Sequence, residues 1–193
     1  MLYSAWERCF TLCHAIGLRL IRDVTVNPRS LATSARAVWL IRTPFYQSLV
    51  SKLQIQPSTS EERGPKKGQF SALCDFLGAM ESWLAEAIDS SIETDELVMR
   101  FSNVNEDVVE INASAIGIAE FPHFQKIKFG RLHDLVGRRN EIGHGAIINA
   151  PPNENFVDLW EFTERLIVAY CDVFITWMQS TFTEEDSKEN LTP

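Results

Sequence analysis

Gly137-Arg138-Arg139-Asn140-Glu141-Ile142-Gly143-His144-Gly145 decides how the rest of this chain is read. An Arg, an Asn and a His fall within six consecutive residues, bracketed by glycines. The stretch ends one long amphipathic segment and precedes another. Upstream, residues 124–143 carry Phe124, Ile127, Phe129, Leu132, Leu135, Val136 and Ile142, which read as one helix ending in the quoted residues. Downstream, Pro151, Pro152 and two Asn within 145–154 read as a loop. A final helix is then expected from Phe156 to Met178, apolar on most of its circumference, with Asp158, Glu161, Arg165 and Asp172 marking a polar side. Such a helix is expected to pack on more than one neighbour.

The same periodicity runs back to the N-terminus. Leu2, Tyr3, Trp6, Phe10, Cys13, Gly17, Leu20 and Ile21 recur in steps of three and four and predict a helix over 2–22. Asn27-Pro28 reads as an N-cap followed by Pro at the first helical position. The helix that follows carries Leu31, Ala35, Val38, Ile41, Phe45, Leu49 and Leu53, and Pro44 should kink or split it. Residues 56–68 have no periodicity, two Pro, two Gly and both signs of charge, hence a mobile connection. A third helix is expected from about Gln69 to Ile88, then a turn at Ser90, Ser91 and Thr94 and a short apolar piece, Leu97 to Phe101. Asn103-Val104-Asn105 before Glu106-Asp107 predicts a capped helix start with acids in its first turn. Val108, Ile111 and Ala115 would share its buried face, Gly117 would close it, and Phe121-Pro122 would mark the next break.

No credible strand pair and no internal repeat occur; Ala146-Ile147-Ile148 is short and isolated. The expected fold class is therefore all-α, an antiparallel helical bundle. The expected layout is an N-terminal helical extension at 1–55 packed on the bundle, the connection at 56–68, a helical core at 69–180 and a disordered acidic tail at 181–193. At 193 residues the chain fits one domain with a core that needs neither disulfide nor metal.

Net charge is −8, which argues against a protein that coats nucleic acid indiscriminately. The quoted stretch departs from that balance. Between His123 and His144, Lys126, Lys128, Arg131, Arg138 and Arg139 face only Asp134 and Glu141, so this segment is about +3 and would draw an anionic ligand. Four cysteines, Cys9, Cys13, Cys74 and Cys171, form no CxxC pair. Cys9 and Cys13 share a helical face beside His14, a weak metal signal; small apolar core residues are the better reading. Free thiols point to a reducing cytoplasm. Neither signal-peptide organisation nor an apolar run of about 18 residues is present, so no membrane association is expected.

Arg and His close together suit phosphodiester chemistry without a metal. Arg holds phosphate oxygens bidentately and stabilises charge that grows in the transition state. His moves a proton to or from a ribose hydroxyl near neutral pH. Asn140 and His144 lie four apart on one helical face, Arg139 is offset by one position, and Gly143 and Gly145 clear space around the imidazole. One His does not easily act as both base and acid; a second copy across a dimer would supply the other. The plain alternative is a helix C-terminus dressed with cations that complement its dipole.

Arg139-Asn140-Glu141-Ile142-Gly143-His144-Gly145 resembles the R-N-x-I-A-H-G form of the R-x4–6-H motif of the HEPN superfamily, with Gly143 where Ala is usual. In that family the motif closes a helix of an all-α bundle before a loop and a long final helix. Asn103-Val104-Asn105 also looks like the helix start of the prokaryotic clade with this variant. The resemblance implies a HEPN-like four-helix core with additional N-terminal helices. It further implies a metal-independent, cofactor-free endoribonuclease of toxin–antitoxin or antiviral defence systems, acting as a homodimer with a composite cleft. Arg139, His144 and Asn140 would be catalytic; Arg138, Arg131 and Lys128 would hold substrate phosphate. RNA would be the substrate, and an antitoxin or regulatory protein a possible partner. The alternatives are a HEPN-type module that binds nucleotide, RNA or protein without cleaving, and a plain helical interaction protein.

Other residues carry less. Glu81 and Glu86 read as a solvated face, and His123 and His133 as surface residues. Trp6, Trp39, Trp83, Trp160 and Trp177 are expected in the core or a dimer interface. No P-loop, GxGxxG, GxSxG or HExxH occurs, which removes the common nucleotide, hydrolase and zinc classes.

Overall fold

The computed structural model describes residues 2–25, 31–43, 93–101, 103–144 and 153–182, with 46, 49–51, 74, 76–80, 82, 84–86 and 88. The fold is all-α, and no strand occurs among the described residues. In chain order the described helices are α1 (Leu2–Val24), α2 (Thr33–Ile41), α3 (Thr94–Leu97), α4 (Glu106–Ile116), α5 (Leu132–Gly143) and α6 (Asn153–Phe182). Short 3₁₀ turns at Ile118–Glu120 and Phe124–Lys126 lie between α4 and α5. Asn27-Pro28, the 56–68 connection, Trp83, Glu81, the 145–152 loop with Ala146-Ile147-Ile148, and the tail beyond Phe182 lie outside the described residues.

The first helix packs against most of the other described helices. It contacts α3, α4, α5 and α6. Its stripe Tyr3, Trp6, Phe10, Cys13, Leu18 is buried, because steps of three and four keep these side chains on one face. Two of them also pin a distant backbone. Tyr3 Oη accepts from the Val104 amide at 2.7 Å, and Trp6 Nε1 donates to the Val104 carbonyl at 3.2 Å. Both polar groups of one buried peptide segment are thereby satisfied from a single turn of α1. Gly17 lies where α1 meets α4; a Cβ there would stand 3.1 Å from Ile116 Cδ1.

Helix α4 starts and stops as its sequence reads. Asn105 Oδ1 accepts from the Val108 amide at 3.0 Å, and Gly117 takes φ 82°, the left-handed closing position. Its buried face differs in one place. Ile111 is exposed, and Asn112 is buried beside it. Asn112 Oδ1 accepts from Met99 N–H at 2.9 Å while its Nδ2 donates to Met99 C=O at 2.7 Å. A side-chain amide thus completes the hydrogen bonding of the extended segment after α3, as a neighbouring strand would.

Several expected boundaries shift. The second helix starts at Thr33, not Pro28, because Leu31 and Ala32 are not helical and Ala32 is extended, at ψ 148°. It stops at Ile41; Thr43 Oγ1 then accepts from the Tyr46 amide, an N-cap bond that separates it from the helical positions beyond. Helical structure near 97 is α3, Thr94–Leu97, so the Leu97–Phe101 piece is mostly extended. The single helix expected over 124–143 is only α5, from Leu132. On a helix, Phe124 and Phe129 would diverge by about 140°. The bent path through 127–131 instead brings their rings to 6.0 Å and tucks Phe124 into the core.

The last helix is longer than expected, with 30 residues, or roughly 45 Å at 1.5 Å per residue. It buries one row, Leu159, Thr163, Leu166, Tyr170, Phe174 and Trp177. The opposite row, Val157, Trp160, Val168 and Ile175, is exposed, while Tyr170 on the buried row meets both α1 and Phe124. Trp6, Trp39 and Trp177 are buried and Trp160 is not. Among the described residues, no helix is long and apolar enough to cross a membrane.

The α1–α6 contact holds a buried polar pair. His14 Nε2 and Tyr170 Oη are 2.5 Å apart with both residues buried. Burial pushes the His14 imidazole down to about 3 and the Tyr170 phenol well above its usual range, so both stay neutral near pH 7. Phe10 packs on His14 at 4.4 Å between centroids, and Trp6 meets Tyr170 edge-on at 5.3 Å.

Candidate functional site

The quoted stretch occupies the last turns of α5 and its cap. Helix α5 is fixed to the core by Leu132 and Leu135, both buried, while the turns that follow rise into solvent. His144 is the C-cap, with φ −92° and ψ 4°, and its amide donates to Asn140 O at 2.9 Å. Its side chain is exposed, as are Glu141, Ile142 and Gly143. Gly145 lies outside the described residues.

Arg139 goes elsewhere. Its guanidinium carbon stands 5.7 Å from the centroid of the Tyr3 ring, a cation held over an aromatic face of α1. One Nη also donates to Asn140 Oδ1 at 3.1 Å. Half-buried Asn140 therefore ties to both partners, to Arg139 through its side chain and to His144 through its carbonyl. At 3.6 residues per turn, five residues separate Arg139 from His144 by about 140° around the helix. Helix geometry thus sends the two side chains off α5 in different directions.

A groove of about 420 Å³ runs along the other side of α5, lined by Arg131, His133, Asp134, Gly137, Arg138, Glu141, Asn155 and Leu159. Its row on α5 passes through Gly137 and Glu141, and His144 is the next residue on that row. Of the expected phosphate contacts, Arg131 and Arg138 line the groove; Lys128 is exposed outside it. Both arginines are paired within α5 or at its start. Arg131 Nε lies 3.4 Å from Asp134 Oδ2, and Arg138 Nη1 lies 3.3 Å from Glu141 Oε2. The basic character expected of this segment is thus divided: two cations meet two acids at the groove, Arg139 lies over Tyr3, and Lys126 and Lys128 stand in solvent. Such exposed pairs hold their geometry weakly, on the order of 0.2–1 kcal/mol each, and a phosphate can compete for either arginine.

Four contributors were not visible in the sequence. Tyr3 lies under Arg139 from 136 positions earlier in the chain. Asn155 and Leu159 of α6 wall the groove. His133, read as a surface residue, is exposed and also lines it. No local signal announces Tyr3, Asn155 or Leu159, since each is brought in by packing of α1 or α6 on α5, and the groove role of His133 on α5 depends on that same wall from α6. No protein-family model, no curated protein and no solved structure matches this chain, so the reading of the site rests on its own residues.

Proposed function

We propose that the chain is a metal-independent endoribonuclease of the HEPN type that works as a homodimer. The observation that carries this reading is the Arg139-Asn140-x-x-Gly143-His144 spacing at the exposed C-terminal end of α5, with the long α6 following. In this reading the ribose 2′-hydroxyl attacks the adjacent phosphorus, the P–O5′ bond breaks, and a 2′,3′-cyclic phosphate and a 5′-hydroxyl result. His144 of one chain takes or gives the proton. Arg139 offsets the charge that grows on the phosphoryl oxygens, and Asn140 keeps Arg139 oriented. The angular separation of Arg139 and His144 supports a cleft completed by a second copy. So does the exposed apolar row Val157, Trp160, Val168 and Ile175, which leaves α6 a face for that copy.

A second reading, a helical module that binds RNA, nucleotide or protein without cleaving, is favoured by one observation. Arg139 already has a partner in Tyr3, and the groove arginines have carboxylate partners. Incubating the purified chain with end-labelled RNA in EDTA separates the two. Cleavage to cyclic-phosphate ends, lost in both His144→Ala and Arg139→Ala, supports the enzyme. Retention of RNA without any cleavage by the unaltered chain supports the module. Cleavage that survives both substitutions removes this site from either role.

A further inference from the structure

Three of the four cysteines meet at one point. Cys9 and Cys13 are one turn apart on α1, and Cys171 reaches them from α6, 162 positions after Cys9. Cys9 Sγ and Cys171 Sγ are 3.5 Å apart, and all three sulfurs lie within 4.8 Å of one another. Cys13 is buried and the other two are half-buried, so the cluster opens to solvent on one side. The residues beside it are held: His14 follows Cys13, Tyr170 precedes Cys171, and these two neighbours are hydrogen-bonded across the same helix contact. That bond fixes how α1 and α6 face each other at the level of the sulfurs.

We infer that Cys9, Cys13 and Cys171 form a three-thiolate site for a soft d¹⁰ cation, with Cu(I) the ion it fits best. A cation about 2.3 Å from each of three sulfurs holds them about 4 Å apart. The distances above bracket that value, so side-chain rotation within the existing helix contact suffices. Among the described residues the cluster contains three donors and no fourth. His14 Nε2 is held by Tyr170 Oη, and His14 Nδ1, though without a partner, does not fall within the 4.8 Å cluster of the three sulfurs. Three sulfurs satisfy Cu(I), whereas Zn(II) asks for a fourth ligand. On binding, the three thiols release three protons to solvent and three Cu–S bonds form, with no change of oxidation state. The plain reading of such a cluster is close packing of small apolar side chains, which predicts no ion preference and no common effect of the three residues. This site is independent of the proposed nuclease chemistry.

The test uses the full chain, reduced and freed of reductant under anaerobic conditions, and titrated with Cu(I) against a chromogenic Cu(I) chelator. One Cu(I) per chain is expected. Cys9→Ser, Cys13→Ser and Cys171→Ser should each weaken it by about a hundredfold or more, while Cys74→Ser, exposed and outside the cluster, leaves it unchanged. Because the ion ties α1 to α6 only in the folded chain, Cu(I) should also raise the melting temperature of the unaltered chain by roughly 5 °C. Cys9→Ser and Cys171→Ser alter half-buried positions, and their far-UV circular dichroism and metal-free melting show whether they fold. Absence of tight Cu(I), uptake that survives any one of the three substitutions, or dependence on Cys74 overturns the site. Retention of Zn(II) through gel filtration by a chain that loses Cu(I) overturns the choice of ion.

Discussion

Two clusters of chemically able side chains differ in how they are assembled. Arg139, Asn140 and His144 are contiguous in sequence and exposed or half-buried in space, and the helix that carries them turns Arg139 and His144 apart. Cys9, Cys13, His14, Tyr170 and Cys171 come from opposite ends of the chain and converge in the core. Nearness along a helix is a statement about angle as much as distance. Residues four apart share a face, and residues five apart do not. A compact motif can therefore be an incomplete site, and scattered residues can be a complete one.

The largest expected effect tests the first half of that contrast. His144→Ala and Arg139→Ala should each lower RNA cleavage by about 10²–10⁴-fold. Mixed and re-equilibrated, the two inactive variants should regain activity, because a heterodimer holds one cleft with both residues intact. Failure to regain it, with heterodimers demonstrated, would place Arg139 and His144 of the same chain in one cleft. Next comes the core. Asn112→Ala strips the Met99 amide and carbonyl of their partner, and a loss of roughly 2–4 kcal/mol in urea unfolding is expected. His14→Leu leaves Tyr170 Oη without its partner and should remove about 1–3 kcal/mol with cleavage unaffected. An unchanged denaturation midpoint would mean that the convergent cluster is not the rigid one. The smallest effect is at the border between the two regions. Arg139→Gln should lower stability by about 0.5–1 kcal/mol, the scale of an exposed cation over a ring. His144→Ala should stay within about 0.5 kcal/mol of the parent. A larger loss at His144 than at Arg139 would reverse the assignment of which side chain faces α1.

Much of the helical order was legible because burial on one face imposes its period on the sequence. Tyr3, Trp6, Phe10 and Cys13 show this in α1, and Asn105 and Gly117 mark the ends of α4 by backbone needs that few other residues meet. The start of α5 was misread for the same reason in reverse. Phe124, Ile127, Phe129 and Leu132 keep a spacing compatible with a helix, yet the pull of two aromatic rings into one core pocket bends the chain there. Asn112 was invisible because its partner, the Met99 peptide, has no sequence signature. At the candidate site, the motif and the exposed cap could be read in advance. The Tyr3 contact, the Arg131–Asp134 and Arg138–Glu141 pairs and the groove wall from α6 depend on neighbours that only folding supplies.

The contact between Trp6 and Tyr170 also has a consequence for how the protein is made. The apolar stripe of α1 is translated well before α6, the helix that covers it. At roughly 5–20 residues per second, the stripe waits on the order of ten seconds or more for Tyr170. During that interval α3, α4 and α5 are the described helices that shelter α1. A nascent chain of this design is open to chaperone capture or clumping until α6 emerges, and anything that slows translation between α5 and α6 lengthens that exposure.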